Sequence, residues 1–189
     1  MHDIIIGSDE VLKGDTFGGI VVAAVKANQE QRIALKNLGV RDSKTLSDRQ
    51  VQLISPKIEN NFPCIIKNIY PEEYNELKGT ITDILNKLHK ECYNYLKPGT
   101  HIVDKFPGCK VGNIIEIQAE SKYPEVAAAS IIARARALKQ LHNLSKKAGF
   151  LIPKGSSHVQ KALEQLKKSN LPPTDFVKLK FSNVKKLFG

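Results

Sequence analysis

The stretch Ile4-Ile5-Ile6-Gly7-Ser8-Asp9-Glu10-Val11-Leu12-Lys13-Gly14-Asp15 decides how this chain is read. Its β-branched opening predicts a buried strand. Two carboxylates, Asp9 and Glu10, sit inside that apolar run rather than after it. Gly14 and Asp15 carry turn chemistry. Gly18-Gly19 then leads into Ile20-Val21-Val22-Ala23-Ala24-Val25, a second strand. The short glycine-containing link predicts an antiparallel hairpin.

Working outward, a helix is expected from Gln29 to Leu38, closed by Gly39. Asp42-Ser43-Lys44 reads as a loop. Ser47 caps a helix running to about Asn61, which Pro56 is expected to kink or split. Cys64 to Tyr70 forms a third strand completing an antiparallel start, and Pro71 opens a helix. Ile81, Ile84, Leu85, Leu88 and Cys92 mark one face of the next helix. His101–Asp104 and Ile114–Ile117 are further strands. Val126 to about Lys147 is a small-residue helix whose stripe Ala127, Ala128, Ile131, Ala135, Leu138 suits close contact with a sheet. Shorter helical pieces follow near 159–168 and 184–187. This order predicts an α/β fold: a mixed five-stranded sheet flanked by helices. The chain reads as a single domain, 1–189, with a C-terminal helical extension from roughly 150.

The 189 residues are 41% hydrophobic and 25% charged, a balance that argues against disorder. Lys and Arg number 29 against 19 acids, a net charge of +10. That excess points to a polyanionic partner, nucleic acid above all. Cys64, Cys92 and Cys109 are odd in number and lack a CxxC pair, which argues against a disulfide scaffold and a zinc site. No signal-like leader and no long apolar run is present, so a soluble, cytoplasmic protein without membrane attachment is expected.

Most acids lie in polar helical contexts, but Asp9, Glu10, Asp104 and Glu120 sit in or beside strands. If the first, fourth and fifth strands are adjacent, about 4.8 Å apart, these carboxylates converge. Such a cluster repels itself in low dielectric. Hard divalent cations remove that cost and suit phosphodiester hydrolysis. The competing reading is that Asp9 and Glu10 make local hydrogen bonds and Asp104 caps a turn.

Four segments then match one family in order. Gly7-Ser8-Asp9-Glu10-Val11-Leu12-Lys13-Gly14-Asp15 resembles the opening motif of the type 2 and type 3 ribonucleases H. Asp42-Ser43-Lys44-Thr45-Leu46 is similar to their DSK segment, and Val103-Asp104-Lys105-Phe106 to their strand-terminal acid motif. Ala119-Glu120-Ser121-Lys122 with Val126–Arg134 resembles their acid followed by an AAASI helix. Tyr74-Asn75 and Lys178-Leu179-Lys180-Phe181-Ser182-Asn183 agree more weakly. The resemblance implies an RNase H-like fold. It also implies metal-dependent cleavage of the RNA strand of RNA/DNA hybrids to 3′-hydroxyl and 5′-phosphate products. Asp9, Glu10, Asp104 and Glu120 fall on the family's metal-binding acids, implying two Mg²⁺ or Mn²⁺ ions. Glu as the fourth acid, the GSDE opening and the KLKFSN tail look more like type 3.

Two departures stand out. Leu12 occupies a position where the family usually has glycine, in a loop approaching ribose 2′-hydroxyls. The N-terminal substrate-binding domain typical of type 3 members is not expected here, so affinity would come from the basic surface. Lys13, Ser43 and Lys44 are candidate phosphate contacts, and the backbone of Leu12, Lys13 and Gly14 a candidate reader of 2′-hydroxyls. Gly155-Ser156-Ser157 reads as a helix start, and Lys161 to Lys186 as a candidate extension of the binding surface. No role is assigned to the five histidines. A monomer acting on RNA/DNA hybrid is expected. The alternatives are incision at single ribonucleotides, as in type 2, a non-catalytic hybrid-binding module, or another nuclease of this fold such as a resolvase.

Overall fold

The computed structural model describes residues 3–189. Its strands are β1 (Ile5–Val11), β2 (Ile20–Ala27), β3 (Cys64–Ile69), β4 (Thr100–Asp104) and β5 (Ile114–Glu116). Seven α-helices lie among the described residues: α1 (Gln29–Asn37), α2 (Asp48–Asn61), α3 (Pro71–Glu76), α4 (Ile81–Leu96), α5 (Pro124–Ala148), α6 (Gln160–Lys168) and α7 (Ser182–Phe188). The sheet is mixed, in the order β3-β2-β1-β4-β5.

Local chemistry places the helix ends. Asn28 with Gln31, Ser47 with Gln50, and Thr80 with Asp83 form reciprocal caps at the starts of α1, α2 and α4. Pro56 does not split α2. Gln52, whose carbonyl loses its partner to the proline, lies with Pro56 on the exposed face, where water can take that bond.

The strand register decides which side chains share a face. β1 and β4 pair in parallel, with Ile6 opposite His101 and Ser8 opposite Val103. β4 and β5 are also parallel, with Asp104 opposite Glu116. Side chains alternate between the two faces of a strand. Ile6, Ser8 and Glu10 therefore share one face with His101 and Val103, while Gly7 and Asp9 share the other with Ile102 and Asp104.

The chain divides into two compact units. One holds the described residues up to Val11, then 22–67 and 79–135. Within it α4 packs against β1. On the opposite face the start of α5 comes against β1 so closely that a Cβ on Gly7 would stand 2.3 Å from the Val126 nitrogen. Ile102, Ala119 and Val126 form a core cluster there. The expected narrow stripe is too modest: every residue from Glu125 to Ala133 is buried, whereas Ala135 and Leu138 are partly exposed.

The other unit holds residues 12–21, 68–78 and 136–189. α6 packs on α7, and α3 on the turn Pro173–Asp175. Lys178 is fully buried, donating to the Asp15 carbonyl at 2.6 Å and that of Gly18 at 2.9 Å. The Asn75 amide donates to the Val177 carbonyl and accepts from the Leu179 nitrogen. Gly155–Ser157 does not begin a helix. α6 starts at Gln160 after an N-cap, Val159, that offers no side-chain acceptor, and the Gly155 nitrogen instead donates to Asp15 at 2.6 Å.

Candidate active site

The strand order meets the condition on which convergence depends: β1, β4 and β5 are neighbours. Extending the β1–β4 register by one residue places Asp9 beside Asp104, at the carboxyl ends of two parallel strands. Glu120 comes next, in a 3-10 turn, Ala119–Ser121, after β5. Asp9, Glu10 and Glu120 are buried, and Asp104 partly so.

Each carboxylate is anchored. Asp9 Oδ1 accepts from the Glu10 nitrogen at 2.7 Å, and Ser130 of α5 supplies a second, side-chain hydrogen bond. Asp104 Oδ1 accepts from the Ala119 nitrogen at 2.7 Å. Glu10 Oε2 lies 3.1 Å from His89 Nε2. Glu120 accepts from Lys44 Nζ at 2.5 Å and from the Ser43 hydroxyl at 3.3 Å. The local bonds of the competing sequence reading are therefore present, and they coexist with convergence.

Charge shows the cost of the arrangement. Burial first, then Glu10 and Asp104, pushes the Asp9 carboxyl up to about 8. Asp104 is also raised, by burial foremost and then by Glu120 and Glu10, against the pull of Lys44. Lys44 is raised in turn, chiefly by its bond to Glu120. One largely exposed ammonium does not balance four acids. No group of three or more His, Cys, Asp or Glu side chains among the described residues is placed to hold a metal ion. The fit of a cation therefore rests on donor chemistry and charge. Both favour a hard divalent ion, which takes carboxylate oxygens and lowers the energy of ionised, crowded acids.

Ser43 and Lys44 lie beside Glu120, on a 3-10 turn whose Asp42 side chain caps the Lys44 nitrogen at 2.9 Å. Lys44, expected on a phosphate, here bonds Glu120. Leu12, Lys13 and Gly14 belong to the other unit. Leu12 is buried there with φ 70, the left-handed region.

Ser8, Ser130 and Arg134 lie within the quoted motifs without a role assigned to them there, and His89 and His101 lie outside those motifs. Ser130 bridges Asp9 and Ser43, its hydroxyl 2.9 Å from that of Ser43. One turn later Arg134 donates to the Ser43 carbonyl, to that of Leu46 at 3.0 Å and to Asp48 at 2.7 Å, pinning the turn that bears Lys44. Ser8, His89 and His101 form a buried run beneath Glu10. The apolar face of α4 held the only hint of His89, which lies one residue after Leu88 and three before Cys92. Lys122 pairs with Glu116 at the surface.

Known proteins share this arrangement of the chain. A family model described as Ribonuclease HII matches residues 6–184. A curated ribonuclease HIII of Bacillus cereus (strain AH187) is 37% identical over 213 aligned positions, covering 97% of this chain and 68% of the relative. Among solved structures, Bst-RNase HIII in complex with Mn²⁺ superposes with a TM-score of 0.86 at 30% identity, over 98% of this chain and 69% of that one. Aquifex aeolicus RNase H3 gives 0.80 at 32% identity, over 93% and 71%.

Proposed function

The chain belongs to the ribonuclease HII family and is a ribonuclease H acting on nucleic acid, and from that premise we propose that it cuts the RNA strand of RNA/DNA hybrids with the help of divalent metal ions. The observation that carries this reading is the meeting of Asp9, Glu10, Asp104 and Glu120 on neighbouring strand ends, with Asp9 held up to about 8. These four would hold two Mg²⁺ or Mn²⁺ ions. When bound, such ions activate water and stabilise a departing oxygen in phosphodiester hydrolysis, giving 3′-hydroxyl and 5′-phosphate ends.

The chain's own groups then have distinct tasks. Lys44 has a largely exposed side chain anchored at Glu120, so its ammonium can turn to a phosphate once another cation shares Glu120. Ser43 offers a hydroxyl beside it. The backbone of Leu12, Lys13 and Gly14 is assigned to the ribose 2′-hydroxyls, the group that separates RNA from DNA. Continuous hybrid, rather than single ribonucleotides, is taken as the substrate because Glu120 as the fourth acid, the GSDE opening and the KLKFSN tail resemble type 3 and similar curated relatives are named ribonuclease HIII. Action as a cytoplasmic monomer completes the proposal.

The test is cleavage of an end-labelled hybrid, alongside a DNA duplex holding one ribonucleotide, with Mn²⁺, with Mg²⁺ and with chelator. Hybrid is expected to be cut at many positions and only with metal. Asp9→Asn and Asp104→Asn are expected to fall to background while melting as cooperatively as the wild type. Wild-type turnover in either variant rejects the site. Cutting confined to the lone ribonucleotide replaces the substrate with that of type 2, and binding without cutting makes the chain a hybrid-binding module.

A further inference from the structure

Behind Glu10, on the α4 face of the sheet, three more polar side chains are sealed in the core. Ser8 Oγ stands 2.8 Å from His89 Nδ1 and 2.8 Å from His101 Nε2. His89 Nε2 stands 3.1 Å from Glu10 Oε2. Ser8 and His89 are wholly buried and His101 is 2% exposed, so the set is shielded from bulk solvent. Both rings are braced: His89 stacks on Phe106 with centroids 5.3 Å apart, and His101 on Tyr93 at 5.0 Å.

Donor and acceptor capacity gives the run a direction. An ionised carboxylate only accepts, so the bond to Glu10 needs a proton on His89 Nε2. A His89 ring with one proton then has a bare Nδ1, which accepts from the Ser8 hydroxyl. Ser8 has spent its one proton, so its oxygen accepts from His101, which must carry its proton on Nε2. Every contact is satisfied by one assignment: His101 Nε2–H to Ser8, Ser8 O–H to His89 Nδ1, His89 Nε2–H to Glu10. Burial of His101 keeps it neutral, its pKa lowered to about 4.

We propose that His89 is a positioning residue for Glu10: its Nε2–H, fixed in that tautomer by Ser8 and His101, holds the carboxylate in one orientation for a divalent cation. This rests on the assignment of Glu10 as a metal ligand. Ligands held by an outer hydrogen bond lose about 10- to 100-fold in metal affinity or activity when the outer partner is removed. The geometry here places an imidazole in that outer role to a carboxylate.

Three measurements on the whole protein test it: ¹⁵N NMR of the histidine rings, Mn²⁺ binding by calorimetry, and hybrid cleavage against Mn²⁺ concentration. The ring spectra are expected to show His89 and His101 each with a proton on Nε2. His89→Phe keeps ring volume without a donor and is expected to raise the Mn²⁺ dissociation constant about tenfold or more. Half-activating Mn²⁺ should rise in parallel, with kcat at saturating metal reduced less. His89→Gln, which restores an N–H, should recover part of the loss, and Ser8→Ala should fall between. A His89 Nε2 that carries no proton, or wild-type Mn²⁺ affinity in folded His89→Phe, overturns the proposal. If His89→Phe does not fold, unchanged affinity in both His89→Gln and Ser8→Ala overturns it. Wild-type protein that binds no Mn²⁺ overturns the metal site along with it. Binding that Asp9→Asn abolishes and His89→Phe leaves unchanged overturns the positioning role alone.

Discussion

Leu12 shows how one residue departs from a pattern without breaking the loop. A non-glycine residue in the left-handed region costs roughly 1–2 kcal/mol. Its buried side chain, whose Cδ1 lies 3.1 Å from where a Gly18 Cβ would stand, recovers a burial term of about 1.5–3 kcal/mol. The two offset, so leucine keeps a conformation that glycine adopts without strain. Lys178 is the other residue whose environment sets a measurable property. It lies buried between the Tyr74 and Phe181 rings, 5.7 and 5.3 Å from their centroids. Burial lowers it from 10.5 to about 7, and a neutral amine still has a proton for each of its two carbonyl partners. Between those pH values the unfolded chain binds a proton that the folded chain does not, so this group makes stability rise as pH increases from about 7 toward 10. Urea denaturation across that range is expected to show the rise, and Lys178→Met to remove this part of the slope. A variant with the wild-type slope places the cause elsewhere.

At the scale of elements, the site is a consequence of strand alternation and of one close contact. Because Gly7 and Asp9 share a face, the helix that presses on Gly7 also delivers Ser130 to Asp9. Because Ser8 and Glu10 share the opposite face, α4 delivers His89 to Glu10. The approach of α5 to β1 tolerates no side chain: a Cβ on Gly7 would meet the Glu125 carbonyl carbon at 2.4 Å as well as the Val126 nitrogen. Backbone cannot move aside as a flexible side chain can, so Gly7→Ala is expected to cost about 3 kcal/mol or more, beyond ordinary overpacking. Thermal melting measures it, and a melting temperature within a degree or two of the wild type would show that α5 can shift. Activity should fall further than stability, since α5 also carries Arg134, which holds the Ser43–Lys44 turn.

For the whole molecule the controlling quantity is the net charge of +10. Binding that works through phosphate contacts releases counterions, so affinity falls steeply with salt. Hybrid binding by cleavage-silent Asp104→Asn, followed by anisotropy between 50 and 200 mM salt, is expected to weaken on the order of 10³-fold if six or more phosphates are engaged. A flat response would mean that the basic surface is not the binding surface. Among the described residues, no helix is long and apolar enough to cross a membrane.

How much could be read in advance depends on which interactions are local. Strand and helix identities were legible because alternation, a cap such as Ser47, and glycine at Gly39 act over a few residues. The split expected at Pro56 did not form, because a local rule takes no account of exposure. The four acids were legible as chemically out of place, and the family motifs named them.

The sequence by itself determined the element order, the basic charge and which acids are anomalous, since each is a property of composition or near neighbours. Only the tertiary structure decided that β1, β4 and β5 lie side by side, that Asp9 rises to about 8, and that Ser130, Arg134, His89 and His101 serve the acids. Those contacts join residues some 80 to 120 positions apart, and a side chain's burial and partners exist only once such distant segments have packed.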